Sequence, residues 1–111
     1  MIEENDKRHI SHMIEAIDRL IDCRNKYDLE TARNDYMIFD VILMEFENLA
    51  NHAMKLTEEL ISSHSEINIK ELRAIRNRIA HDYLSVQIEI LYDAIDKDLP
   101  SVKQVLTELI K

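Results

Sequence analysis

Residues 36–46 read Tyr-Met-Ile-Phe-Asp-Val-Ile-Leu-Met-Glu-Phe, and only Asp40 and Glu45 in this stretch are charged. At the 3.6-residue period of an α-helix, apolar side chains point here in nearly every direction, and such a helix must be covered on all sides. We therefore predict a long helix over about residues 35–62. Its surplus apolar face suggests a contact with another subunit.

Apolar residues at steps of three and four predict further helices on both sides of this stretch. They cover about residues 6–24, 69–81 and 86–97, and a last helix opens at Pro100, where a first-turn proline is tolerated. The polar residues 25–34 are expected to form a turn or a short helix. We expect an all-α, antiparallel bundle of four to five helices, formed as a single domain over residues 1–111.

The chain of 111 residues contains no glycine. This excludes the glycine-dependent phosphate-binding loops, the nucleophile elbow and the EF-hand loop, and it makes β-hairpins improbable. Any turn that needs a positive φ would fall on Asn or Asp. Asn68, followed three residues later by Glu71, predicts an N-cap and capping box for the helix over 69–81.

The charge balance of 22 acidic against 14 basic residues gives a formal net charge of −8. This argues against a protein that coats nucleic acid by bulk charge, although it allows a local basic site. The single Cys23 cannot form an internal disulfide, which suits a reducing compartment. Since no apolar run approaches the roughly 18 residues of a membrane span, we expect a soluble, cytoplasmic protein.

One such basic site is visible in the predicted helix over 69–81. Lys70, Arg73, Arg76 and Arg78 place four of the 14 basic residues within nine positions. Arg76 and His81 are five residues apart, which is about 140° around a straight helix. They could therefore share a site only at a frayed helix end or across a dimer of two such helices.

The chemistry that suits this group is metal-independent cleavage of an RNA strand. Histidine titrates near neutral pH, so His81 could take a proton from a 2′-hydroxyl or donate one to the leaving oxygen. Arg76 could grip the phosphate, and Asn77 could orient the histidine or bond the phosphate. The plainer alternative is a cationic helix end, with Arg78 and Asp82 forming a surface ion pair and His81 interacting with the helix dipole.

The octapeptide RNRIAHDY at residues 76–83 resembles the R-x4-H signature of HEPN-domain ribonucleases and, with its tyrosine, the R-x4-H-x-Y motif of HepT-like toxins. The resemblance covers about residues 7–110, because three flanking segments stand in the family's order: HISHMIEAIDRLIDC (9–23), NLANHAMKL (48–56) and KDLPSVKQVL (97–106). One departure is Ala50-Asn51-His52, where many relatives carry a Gly-Glu-Ala type sequence.

This resemblance implies a HEPN-like homodimer in which two motifs meet in one cleft and cut RNA, either tRNA or mRNA, without metal or cofactor. It implies the toxin of a toxin–antitoxin system, paired with an MntA-type nucleotidyltransferase antitoxin that transfers AMP to Tyr83. The catalytic residues would be Arg76, Asn77 and His81, and the RNA-binding residues Lys70, Arg73 and Arg78. An AMP adduct near His81 would place negative charge where an RNA phosphate must bind.

Two alternatives to the nuclease remain open. HEPN bundles also serve as non-catalytic RNA-binding or docking modules beside nucleotidyltransferases, and the same residues would then only hold phosphate. The chain could also be a structural, dimerising bundle without RNA chemistry.

Other polar residues carry weaker signals. His9 and His12 could in principle hold a metal, but without a completing ligand set they are expected to be surface histidines, so no metal site is assigned. His52 is expected at a polar bundle position or an interface. If Asp40 and Glu45 are buried they need partners, and the arginines of the motif helix are the candidates.

Overall fold

The computed structural model describes residues 2–111; Met1, which belongs to the predicted domain 1–111, lies outside the described residues. Every regular element in this range is helical, so the all-α prediction is confirmed. Five helices have ten or more residues and two are short, so the bundle has more helices than the four to five expected. The α-helices are α1 (Glu4–Lys26), α2 (Leu29–Asn34), α3 (Tyr36–Ala53), α4 (Glu58–Ser63), α5 (Ile69–Asp82), α6 (Ile88–Lys97) and α7 (Leu99–Leu109). Two 3₁₀ turns cover Ser65–Ile67 and Tyr83–Ser85.

The core is built around α3, which packs against α1 on one side and against α5 on another. The predicted stripe of α1 is buried, with Ile10, Met13 and Ile17 fully inaccessible to solvent. Phe46 of α3 is also fully buried and is the largest of the completely buried side chains. Burial of each such side chain contributes about 1.5–3 kcal/mol, so this contact holds α1 and α3 together.

The predicted helix over 35–62 is wrong in its second half, because α3 ends at Ala53 and α4 starts at Glu58. Thr57 caps α4, since its hydroxyl accepts the backbone N–H of Leu60. The Thr57 backbone N–H and hydroxyl donate to the carboxylate of the buried Asp6, at 3.1 and 2.7 Å. Leu60 of α4 is also buried, so the apolar spacing of α3 continues across the break. The spacing alone therefore gives no indication of the turn between α3 and α4.

The predicted capping box at Asn68 is also wrong. Asn68 has φ 58° and ψ 52° and forms no side-chain cap on α5. It follows the 3₁₀ turn at Ser65–Ile67, where the chain needs a left-handed residue, and Asn tolerates this conformation better than most residues. The expectation that a positive φ would fall on Asn or Asp in this glycine-free chain is confirmed here.

Two further predictions agree with the structure: the turn or short helix over residues 25–34 and the helix that opens at Pro100. The segment 25–34 contains the short helix α2, whose N-cap Asp28 accepts the backbone N–H of Thr31 at 2.8 Å. Pro100 lies in the first turn of α7, as predicted.

Among residues 2–111, no helix combines the length and the apolar character that crossing a membrane requires.

Candidate active site

Helix α5 carries the motif, and its buried side is narrow. Leu72 and Ile79 are buried, and they fix the side of α5 that packs into the bundle. Arg76 stands four residues after Leu72 and three before Ile79, so it lies at the edge of this buried side. Its Nε is buried and has no hydrogen-bond partner among the described residues, while its Nη1 donates to Oδ1 of Asn77 at 3.1 Å. The guanidinium is therefore half-buried with donors still free.

His81 lies in the last turn of α5 and is exposed. Asn77, one turn earlier, is exposed on the same side of the helix. No hydrogen bond between Arg76 and His81 is found in the described chain, in agreement with their separation of about 140° around the helix. A single chain thus presents the two predicted catalytic side chains on different sides of α5.

Tyr83 lies beyond the end of the helix. α5 ends at Asp82 and Tyr83 begins a 3₁₀ turn, in which the hydroxyl of Ser85 donates to the Asp82 carbonyl at 2.8 Å. Tyr83 is 52% exposed and its neighbour Leu84 is 84% exposed. In a continuous helix, Tyr83 would lie on the same side as Arg76, seven residues earlier. Because α5 ends at Asp82, Tyr83 does not lie on that side, and its ring projects from an accessible turn.

The cations of α5 lack carboxylate partners. Lys70, Arg73 and Arg78 are exposed, and neither they nor Arg76 form an ion pair within residues 2–111. Seven of the ten other Lys and Arg residues do form one. The surface pair of Arg78 with Asp82, which the plainer interpretation expected, is absent from the described contacts. α5 therefore presents four cations without ion pairs among the described residues, against its two carboxylates Glu71 and Asp82, in a chain whose net charge is −8.

The surplus apolar face of α3 is exposed in the single chain. Met37, Val41 and Met44 follow one another at steps of four and three, with exposed fractions of 61%, 41% and 58%. Tyr36 at the start of α3 is 74% exposed. We name Tyr36, Met37, Val41 and Met44 the α3 patch. Contiguous exposed apolar side chains of this kind mark interaction surfaces in soluble proteins.

The expectation that motif arginines pair with carboxylates of α3 is wrong. Asp40 is exposed, and Glu45 is buried against α1, where its Oε2 lies 3.6 Å from Nη1 of Arg19. Asp40 and Glu45 are five residues apart, so they point to different sides of α3. The side that carries Glu45 faces α1, which leaves the arginines of α5 without these partners.

A histidine cluster joins α1 to α3. His9 is only 7% exposed, and its Nδ1 lies 2.9 Å from Nδ1 of His52, while the ring of His12 stacks on His52 at 4.7 Å. Burial lowers the pKa of both His9 and His52, and nearby positive charges act in the same direction. His52 occupies a polar bundle position, one of its two expected places. Within residues 2–111, no group of three His, Cys, Asp or Glu side chains is arranged to hold a metal ion.

The expectation of a surface residue is wrong for His9, although the sequence contains a signal for its burial. His9 stands four residues before Met13 and seven before Ala16, both fully buried, so it continues the buried side of α1. His12 is exposed, as expected.

Comparison with known proteins gives a consistent result over nearly the whole chain. A family model described as "Ribonuclease HepT-like" matches residues 13–109. A "Putative RNase" of Caldanaerobacter subterraneus subsp. tengcongensis is 20% identical over 103 residues, which are 93% of this chain and 92% of that protein. A "Probable ribonuclease HepT" of Thermococcus cleftensis is 20% identical over 102 residues, covering 92% of this chain and 93% of that protein. No solved structure matches the chain.

The family model covers far more than half of the chain, and the match includes the helical core, the α3 patch and all of RNRIAHDY. The chain belongs to the HepT-like ribonuclease family.

Proposed function

We propose that this protein is a metal-independent endoribonuclease, the toxin of a toxin–antitoxin pair, which cleaves tRNA or mRNA in the cytoplasm. The observation that carries this proposal is that the four cations of α5 form no ion pairs among the described residues and stand beside an accessible His81. Phosphate contacts supply most of the affinity of nucleic-acid-binding proteins, and guanidinium groups without a carboxylate partner are free to make them. Lys70, Arg73 and Arg78 would bind the RNA.

In the proposed reaction, the 2′-oxygen of one nucleotide attacks the adjacent phosphorus while the bond from phosphorus to the 5′-oxygen breaks. One imidazole takes the proton of the 2′-hydroxyl or gives a proton to the leaving 5′-oxygen, and His81 is the accessible histidine of the motif. Arg76 would stabilise the charge on the phosphoryl oxygens. Its bond to Asn77 at 3.1 Å would hold the guanidinium in position. The products are a 2′,3′-cyclic phosphate and a free 5′-hydroxyl.

We propose that two copies of this chain, each a single HEPN-like domain, assemble to complete the site. Arg76 and His81 diverge by about 140° on one α5, so one chain does not aim both at the same phosphate. A two-fold dimer through the α3 patch would bury its exposed methionines and bring a second motif helix to the cleft, because α5 packs beside α3.

We propose that Tyr83 is the control point. Its exposed position in the turn after α5 would let an MntA-type nucleotidyltransferase reach the phenolic oxygen, which would lose its proton and take AMP from ATP with release of pyrophosphate. The adduct would stand two residues from His81, and its negative charge would repel the RNA phosphate. The modified toxin would then be inactive without being unfolded.

The test is cleavage of a defined RNA by the purified protein in excess chelator, with product ends identified. Wild type is expected to give 2′,3′-cyclic phosphate ends, and Arg76→Ala and His81→Ala to lose at least a hundredfold in rate. Arg8→Ala and His64→Ala, which change the same residue types outside α5, are the controls and should retain the activity. If Arg76→Ala cuts RNA as fast as wild type, the mechanism is wrong.

The second candidate function is a non-catalytic RNA-binding or docking module, and the observation that favours it is the separation of Arg76 and His81 in a single chain. This alternative predicts that the protein binds the same RNA and leaves it intact. Binding should weaken as salt rises, because each phosphate contact releases counterions. Binding without any cleavage, at protein concentrations that saturate the RNA, would favour this candidate.

A further inference from the structure

A cavity of about 190 Å³ lies between α5 and α6, and among the motif residues 76–83 it is Arg78 that lines it. Ile75, Val86 and Ile90 give it apolar walls. The exposed side chains of Glu71, Arg78 and Gln87 surround its mouth. It is smaller than the roughly 300–1,000 Å³ of sites for drug-sized ligands, so it fits one ring system rather than a whole nucleotide.

The cavity opens on the same side of α5 as His81. Ala74, which also lines it, stands seven residues before His81, so the two occupy nearly the same position around the helix, about 10 Å apart along its axis. Arg78 stands three residues before His81, about 4.5 Å along the axis. None of the four residues of the α3 patch lines this cavity, so the proposed dimer contact and the cavity use different side chains.

The polar groups at the mouth define the ligand further. Glu71 and Arg78 are seven residues apart on one side of α5, about 10 Å along the axis, which leaves room for a flat base between a carboxylate and a guanidinium. Guanine carries two adjacent N–H donors on one edge and the acceptors O6 and N7 on another. A carboxylate accepts from the first edge, and arginine is the common partner of the second. Adenine and the pyrimidines do not offer this combination.

We propose that this cavity binds the base of a nucleotide next to the scissile phosphate, and that it selects guanine. The inference rests on the proposed function, because it places the base relative to His81. Single-stranded RNA is recognised in this way, with bases turned out of the stack into protein pockets. Glu71 would accept the N–H groups of guanine, Arg78 would donate to O6 and N7, and the side chains of Ile75, Val86 and Ile90 would contact its faces.

The first experiment maps the cleavage positions of wild type, Glu71→Gln and Glu66→Gln on an RNA of random sequence in chelator. Glu66 is also exposed and lies outside the cavity, so its variant is the matched control. Wild type and Glu66→Gln should show a guanine preference at one fixed position beside the cut. Glu71→Gln should lower that preference about tenfold, since a good bidentate base contact is worth about 1–3 kcal/mol of discrimination. A wild type that cuts without base preference overturns the inference and leaves the proposed nuclease intact.

The second experiment measures binding and does not depend on cleavage. Short oligonucleotides that differ only in one base, guanine, inosine or adenine, are titrated into the His81→Ala variant. Guanine should bind tightest. Inosine, which lacks the 2-amino group, should bind more weakly than guanine when Glu71 is present and as tightly as guanine when Glu71 is also replaced by glutamine. Equal affinities for all three overturn the inference. If guanine binds tightest and wild type cleaves no RNA, the proposed base site stands and the proposed catalysis is wrong.

Discussion

The α3 patch allows a quantitative prediction for the double variant Met37→Glu/Met44→Glu. The two methionines are 61% and 58% exposed in the single chain. Full burial of a methionine is worth about 1.5–3 kcal/mol, so the exposed remainder is worth about 1–2 kcal/mol for each side chain. A two-fold dimer would bury four of these side chains, which together would contribute on the order of 4–7 kcal/mol to the free energy of dimerisation. Their replacement by glutamate should weaken the dimer by roughly a thousandfold or more, since 1.4 kcal/mol is a factor of ten.

The assay is sedimentation velocity over a range of protein concentrations, with thermal unfolding followed by circular dichroism to verify that the variant folds. Wild type should be dimeric at micromolar concentration, and the double variant should be a folded monomer without nuclease activity. The control for dimerisation alone is Ile90→Glu on α6, which also removes an apolar side chain about half exposed and lies outside the α3 patch; because Ile90 lines the proposed base cavity, its nuclease activity is not compared. If the double variant dimerises as tightly as wild type, the α3 patch is not the interface and the reasoning fails.

Three further predictions concern the histidine cluster, the α4 cap and the regulatory tyrosine. Burial lowers the pKa of His9 and His52 below the 6.5 of an unfolded histidine, so the free energy of unfolding should fall as the pH drops below about 6.5 and stop falling below the folded pKa. Urea unfolding at several pH values should show this decline, reduced in His9→Gln and retained in His64→Gln; a pH-independent midpoint for wild type would contradict it. Thr57→Val should lower the free energy of unfolding by about 2–3 kcal/mol, because it removes the cap of α4 and a hydrogen bond to a buried carboxylate; a loss under about 0.5 kcal/mol in urea would refute this role. Tyr83→Phe should cleave RNA normally and resist the antitoxin with ATP, as seen by intact-protein mass; an AMP adduct on this variant would exclude Tyr83 as the acceptor.

The sequence predicts the parts of the fold that depend on apolar periodicity. The stripe of α1, the extent of α5 within one residue and the first-turn position of Pro100 all follow from local spacing. The break between α3 and α4 was not predictable in this way. It depends on the contact between Thr57 and Asp6, which are 51 residues apart in sequence.

The site shows the same division between local and long-range information. That Arg76 and His81 diverge on one helix follows from their spacing alone. The partner of Glu45 does not, because it depends on which side of α3 faces α1. The burial of His9 could have been predicted, since it continues the spacing of Met13 and Ala16. The cavity between α5 and α6 required coordinates, because Val86 and Ile90 reach it only after the turn at Tyr83–Ser85.

The central claim is that two protomers supply Arg76 and His81 to one cleft, and mixing two inactive variants tests it most directly. Arg76→Ala and His81→Ala are purified separately, combined under conditions that exchange subunits, and assayed for RNA cleavage in chelator. A shared cleft predicts that each mixed dimer regains one complete site, so the mixture should reach about a quarter of the wild-type rate. If the mixture forms mixed dimers and stays as inactive as its components, the shared cleft is contradicted.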